Sequence, residues 1–234
     1  MTFSGKLALV AGGTGGLGRA VSLAFLRDGA EVTVTYRNDQ EFAELRKVAS
    51  ANASRLTGQK VDVTDEAVVE QLISGIGAGL DVLVNTVGGY AGGMKFWELD
   101  TTVLDRMLAL NLRSGFLLSR AAAKAMLQRG KGVIVNVASK AALDHGPGVA
   151  AYAASKAAAV ALMDSLAADL KGSGVRVNSV LPSIIDTEAN RKAMPGADFT
   201  KWPKPEDIAR VILFLCSDDA RLIHGAAIPV YGDS

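Results

Sequence analysis

A tyrosine and a lysine four residues apart, in Tyr152-Ala153-Ala154-Ser155-Lys156, fall on one face of a helix and can act together on a proton. A free phenol, with a pKa of about 10, is a poor proton shuttle near neutrality, and a neighbouring ammonium stabilises the phenolate and lowers that value. The same spacing describes many solvated helix faces, so the pair gains weight only from its company. Ser139 lies thirteen positions before Tyr152, just past an apolar run. Its hydroxyl could hold a carbonyl oxygen or merely serve the backbone of a turn. Asn111 interrupts a long apolar helical stretch, where an amide is a mild misfit that could break a helix hydrogen bond and bind water, or simply be solvated.

A second group of residues suits a phosphate. Ala11-Gly12-Gly13-Thr14-Gly15-Gly16-Leu17-Gly18 follows an apolar strand and opens a helix, so backbone can approach a pyrophosphate at the helix's positive end. Gly12, Thr14, Gly16, Leu17 and Gly18 are the candidate contacts. At the end of the next strand a carboxylate favours a free ribose 2′-hydroxyl and repels a 2′-phosphate. This chain reads Tyr36-Arg37-Asn38 there, and the charged fork of Arg37 suits the phosphate. NADP(H) is therefore the expected dinucleotide, with NAD(H) a second option.

The elements that must position these residues follow from periodicity. Expected strands are Leu7–Ala11, Glu31–Tyr36, a short one near Lys60–Val61, Val82–Asn85, Gly132–Val137, Arg176–Leu181 and Ala227–Val230. Expected helices are Arg19–Arg27, Glu41–Ala51, Glu66–Ile76 with Asp65 as cap, one long helix Thr101–Arg129, Val149–Leu170 and Pro205–Leu215. Nearly continuous apolar strands separated by helices imply a parallel sheet covered on both faces, because each crossover carries a helix. The expected fold is α/β, a Rossmann-type doubly wound sheet of about seven parallel strands in a single domain spanning 1–234. The irregular segment Pro182–Pro205 follows a strand's carboxyl end and reads as a substrate lid.

Composition narrows the classes of ligand. Lys and Arg total 25 against 24 Asp and Glu, so no global field recommends nucleic acid or an anionic membrane, and the expected partner is a small molecule. One cysteine, Cys216, and two histidines leave no disulfide framework and no Cys/His cluster for a metal. Cys216 reads as a small buried hydrophobe, and neither His145 nor His224 receives a role. With neither signal peptide nor membrane span, a cytoplasmic location is expected.

Together Gly12, Gly16, Gly18, Asn111, Ser139, Tyr152 and Lys156 resemble the arrangement of short-chain dehydrogenases/reductases, from about Lys6 to Gly232. The resemblance implies hydride transfer between nicotinamide C4 and a carbonyl carbon. Tyr152 would pass the proton, Ser139 orient the oxygen, Asn111 and Lys156 hold a water relay, and Lys156 bind the nicotinamide ribose. It also makes Asp62-Val63 similar to the family's adenine-contacting pair, although Asp62 serves equally well as a cap. Asn178 matches a further family position, Thr187 one near the nicotinamide carboxamide, and Ile185 would contact it through backbone.

Three departures stand out. Ala11 replaces the usual threonine, which should cost little cofactor affinity. The family's N-N-A-G reads Asn85-Thr86-Val87-Gly88, which keeps Asn85 as a candidate cofactor residue but implies altered strand packing. Pro182-Ser183 replaces proline–glycine, so backbone near the nicotinamide is less free to approach.

Val87–Gly93, Lys140–Asp144 and Asp186–Trp202 resemble dihydropteridine reductases, and Tyr90, Met194, Phe199 and Trp202 could wall a flat pocket or form a lid indifferent to rings. Against a pterin substrate stand Tyr36, where those enzymes carry an acidic residue and prefer NADH, and Ser139, which they lack. General carbonyl or 3-oxoacyl reduction is the leading expectation, pterin reduction the second, and an NADP-binding sensor without turnover the third. Alanines of the Val149–Leu170 helix allow close helix approach, and in the family that helix and Thr101–Arg129 pair across subunits, implying a homodimer or homotetramer.

Overall fold

The computed structural model describes residues 2–234. Seven strands pair in parallel: β1 (Leu7–Ala11), β2 (Glu31–Tyr36), β3 (Leu56–Lys60), β4 (Leu80–Asn85), β5 (Gly132–Val137), β6 (Val175–Pro182) and β7 (Ala226–Val230). Their spatial order is β3-β2-β1-β4-β5-β6-β7. The chain winds outward from β1 through β2 to β3, then returns to the other side of β1 for β4. Connections leaving β1 and β4 therefore diverge, opening the crevice in which doubly wound sheets bind ligands.

Strand parity explains why both faces are covered. Val82 and Val84 of β4, with Val10, Val34 and Val135, enter a core closed by α1 (Gly16–Arg27), α2 (Asp39–Ala49) and α8 (Pro205–Cys216). Leu83, Leu9 and Ile134 point the other way, under α3 (Glu66–Ile76), α5 (Ser114–Leu127) and α6 (Ala150–Asp169). Alternate residues of a strand must face opposite sides, so a strand buried on both has no polar phase. No helix among the described residues is long and apolar enough to cross a membrane.

Five local expectations need correction. The third strand is Leu56–Lys60 rather than Lys60–Val61, and α2 runs from Asp39 to Ala49, entered through an Asn38 cap whose side chain accepts from Gln40 N at 2.9 Å. The expected single helix Thr101–Arg129 is three pieces: α4 (Thr101–Leu108), a π turn (Ala109–Arg113) containing Asn111, and α5. The changed Asn85-Thr86 sequence does not disturb the sheet, for β1 and β4 stay in register to Ala11 and Asn85. Thr86 donates its hydroxyl to Ala11 O at 2.7 Å and also reaches Gly12 O at 3.2 Å, tying the two strand ends together. Finally, the lid is not irregular throughout, since α7 (Glu188–Ala193) lies inside it, capped by Thr187.

Candidate active site

The glycine turn leaves β1 through Gly12, whose φ of +74° is a backbone state that side chains rarely adopt. Thr35 holds the turn on the β2 side, accepting from Gly12 N through its hydroxyl at 2.9 Å and from Gly13 N through its carbonyl at 3.2 Å. A Cβ on Gly18 would overlap Gly12 O, and one on Gly16 would come within 2.7 Å of Thr187 Cγ2 in the lid. The first helical turn can therefore present bare backbone N–H groups to an anion, with the lid poised above. Gly18→Ala should abolish dinucleotide binding by forcing Gly12 out of place. Retention of wild-type affinity in a fluorescence titration of that variant, with its circular dichroism unchanged, would contradict the close packing.

At the carboxyl ends of β4 and β5 a second cluster forms. Lys156, on α6, is 5% exposed and donates to Val137 O at 3.0 Å. Burial drives its ammonium down from 10.5 to about 8. Tyr152 lies one turn earlier on the same helix. Burial raises its phenol above the ordinary value, hydrogen bonding from Ser139 opposes that rise, and the Tyr90 phenol adds to it. The lowering expected from Lys156 is thus not present in the protein alone. The ammonium is engaged by Val137 O, and desolvation of the phenol dominates.

Ser139 is 8% exposed and accepts from Ala141 N at 3.1 Å, so the turn role and contact with Tyr152 coexist. Asn111 is 2% exposed, and the π turn aims its amide at the loop after β4. It accepts from Gly89 N at 2.8 Å and donates to Gly89 O at 3.0 Å and Ser155 Oγ at 2.9 Å. Its side chain is a clamp taken up by protein partners. Gly88 fits between the two groups, for a Cβ there would lie 2.8 Å from Asn111 Oδ1 and 3.1 Å from Lys156 Nζ. Gly88, Gly89, Ser155 and Thr86 were not among the expected site residues, although all four stand in motifs that the sequence displays. The absence of any side chain at Gly88 was a signal, but its meaning depends on residues far away in the chain.

The other candidates divide by place. Asn85 is 1% exposed, donates to Asn136 Oδ1 at 3.0 Å and accepts from Val87 N at 3.1 Å, which makes it a bridge between β4 and β5 beneath the crevice. Leu17 and Val63 are core residues. Arg37 is exposed at the end of β2 and pairs with Asp62 at 3.0 Å. Asp62 also accepts from Thr64 N at 3.0 Å and Thr64 Oγ1 at 2.7 Å, and these bonds, more than Arg37, hold its carboxyl below the usual range. Ile185 O accepts from Asn190 Nδ2 and Thr187 N, both at 2.8 Å. Ser183 donates to Tyr231 O at 2.6 Å, which ties the lid's start to the end of β7.

Among the aromatic candidates, Tyr90 packs edge-on against Tyr152 with centroids 5.0 Å apart and remains 67% exposed. Met194 and Phe199 are half-buried, whereas Trp202 is 7% exposed and packs against Phe199 at 4.9 Å as the lid's anchor. Arg191 covers Phe199 from outside while chelating Asp186 through two bonds of 2.5 and 2.7 Å. Cys216 is buried and its thiol is pushed up to about 12, consistent with an inert core residue. His224 accepts from Val177 N through Nδ1 at 3.1 Å and faces Ala167 O through Nε2 at 2.7 Å, a structural pairing away from the cluster.

Comparison with known proteins identifies the family and the fold. The sequence pattern described as short chain dehydrogenase matches residues 6–198. The chain is 37% identical to 2-(S)-hydroxypropyl-CoM dehydrogenase 3 of Xanthobacter autotrophicus, covering 97% of this chain and 95% of that protein. It is 30% identical to the 3-oxoacyl-[acyl-carrier-protein] reductase of Thermotoga maritima, covering 99% and 98% respectively. Among solved structures, ElxO with NADP bound superposes with a TM-score of 0.91 at 28% identity, covering 97% of each chain. The chain therefore belongs to the short chain dehydrogenase family, NAD(P)-dependent oxidoreductases acting on alcohol and carbonyl groups.

Proposed function

We propose that the protein is an NADP(H)-preferring carbonyl reductase of general or 3-oxoacyl type, with Tyr152, Ser139 and Lys156 as its catalytic set and Asn111, expected in that set, as the residue that positions the backbone beside it. The observation that carries this reading is the convergence of Ser139, Tyr152 and Lys156 at the carboxyl edge of β5, on the crevice that the glycine turn opens. A nicotinamide dinucleotide, when bound, would supply or accept the hydride. Tyr152 moves the proton at the substrate oxygen, and Ser139 directs its hydroxyl at that same oxygen. Lys156 contributes positive charge close to the phenol, while Asn111 fixes the Gly88-Gly89 backbone beside it. The residues fit a dinucleotide. Gly16 and Gly18 leave space that side chains would fill, and Arg37 stands exposed where a 2′-phosphate would lie. Binding by ElxO of NADP supports the same cofactor here.

Substrate is the finer part of this reading. The similarity to a 3-oxoacyl reductase favours a β-keto thioester or a related ketone. A pterin-type substrate remains the second reading, because Tyr90 offers an exposed ring beside the catalytic phenol and the lid carries a further aromatic ring in Phe199. Exposed Phe116 on α5, with Ala154 and Ala161 exposed on α6, would serve a dimer or tetramer of this chain.

The test is oxidation of NADPH and NADH against 3-oxoacyl thioesters, diketones, quinones and quinonoid dihydropterin. Turnover of ketones or thioesters with NADPH favoured is the expected result. Turnover confined to dihydropterin would transfer the assignment to pterin reduction, and tight NADPH binding with no turnover would support a sensor.

A further inference from the structure

The end of β2 carries a second charged group with a claim on the adenosine ribose. Glu41, in the first turn of α2, is exposed and accepts from Thr14 Oγ1 at 2.9 Å. Thr14 belongs to the glycine turn, so this bond spans the gap between turn and α2. That gap is where a ribose must lie if the pyrophosphate sits on the helix N-terminus and the 2′-substituent reaches the end of β2. The nearby cations are already committed: Arg37 pairs with Asp62 and Lys60 with Asp39. No lysine or arginine among the described residues pairs with Glu41. Its carboxylate therefore has no cationic side chain as partner, only the Thr14 hydroxyl and the N-terminal turn of α2.

Resting on the dinucleotide reading above, we infer that Glu41 is a specificity-determining residue that restrains the preference for NADP(H) and keeps NAD(H) usable. A 2′-phosphate entering beside Glu41 meets like charge and must displace the carboxylate as the acceptor of the Thr14 hydroxyl. A 2′-hydroxyl can instead donate to that carboxylate. Arg37 and Glu41 thus act in opposite senses on one substituent. The arginine alone would predict a strict NADP(H) enzyme, whereas the pair predicts a moderate ratio. Coulomb repulsion between partly solvated charges a few ångströms apart corresponds to about a tenfold change in binding.

The experiment is a fluorescence titration of NADPH and NADH into the wild-type protein, Glu41→Gln and Glu41→Ala, without carbonyl substrate. Glutamine keeps an acceptor for Thr14 and removes the charge, and the site is exposed, so both variants should fold. The expected result is an NADPH Kd lowered about tenfold in Glu41→Gln, with NADH binding unchanged or weaker, so that the NADPH/NADH ratio rises by at least that factor. Added salt should shrink the difference between wild type and variant. An unchanged ratio in both variants, while the wild type binds both nucleotides, overturns the role of Glu41 alone. Failure of the wild type to bind either nucleotide overturns the dinucleotide reading along with it.

Discussion

Tyr152→Phe should lower kcat by about a thousandfold while leaving the dissociation constant for NADPH within roughly a factor of three, the size of effect expected when a positioned acid–base group is lost. The phenylalanine ring retains the edge-on contact with Tyr90 and the packing of α6. Only the hydroxyl that Ser139 reaches disappears. Stability at neutral pH should change little, because a phenol whose pKa lies above 10 is protonated in the folded and unfolded chains alike, so its shift adds no term there. If Tyr152 delivers the proton as proposed, the wild-type rate in the reducing direction should hold through neutral pH and fall only in the alkaline range, because the raised pKa keeps the phenol protonated until then. Retention of more than about a tenth of the wild-type kcat in the variant would remove Tyr152 from the proton path.

Lys156→Met should separate stability from activity. The folded-state pKa of Lys156 lies near 8 against an ordinary 10.5, so the folded protein carries a buried ammonium at neutral pH at an energetic cost. For a base with a depressed pKa the penalty is fully present below about 8, and it disappears as pH rises toward 10.5, where the unfolded chain also loses its proton. The shift corresponds to about 3 kcal/mol, less about 1 kcal/mol for the lost bond to Val137 O. Thermal unfolding at pH 7 should therefore show the methionine variant more stable by about 2 kcal/mol, a Tm rise of about 5 °C, with the advantage shrinking toward pH 10. Turnover should fall at least about a hundredfold, because charge near the phenol is lost. A variant less stable than wild type at pH 7 would mean that Lys156 is not held against a burial penalty. On the proposed mechanism, the fold bears a buried charge at a cost in stability for the sake of function.

Much of this architecture could be read along the chain because the signals are local. An apolar run bounded by glycines specifies a buried strand, and a period near 3.6 specifies a helix. Alternation of the two specifies a parallel sheet whatever the distant contacts. The glycine turn and the Tyr152–Lys156 spacing are likewise local, and their place beside the crevice followed once the strands were ordered. β3 slipped because Leu56-Thr57-Gly58-Gln59-Lys60 is an edge strand in which only Leu56 is buried, so it lacks the apolar run that marked its neighbours. Asn111 was legible as a misfit in its helix, but not the π turn by which it reaches Gly89, 22 residues earlier, because periodicity within the helix cannot report a partner outside it.

Charge state and specificity belong to tertiary structure. Nothing in the residue types shows that Lys156 would donate to Val137 O, that burial would raise Tyr152, or that Trp202 would lie beneath the lid rather than in its wall. Glu41 reads as an ordinary acidic residue in a helix's first turn until the fold brings it to Thr14, 27 residues away. The sequence determined which groups the protein has and the periodic elements that carry them, because those depend on neighbours along the chain. The tertiary structure decided their desolvation, their partners and the charges that share a crevice, because electrostatics and packing act through space between residues that the chain order keeps apart.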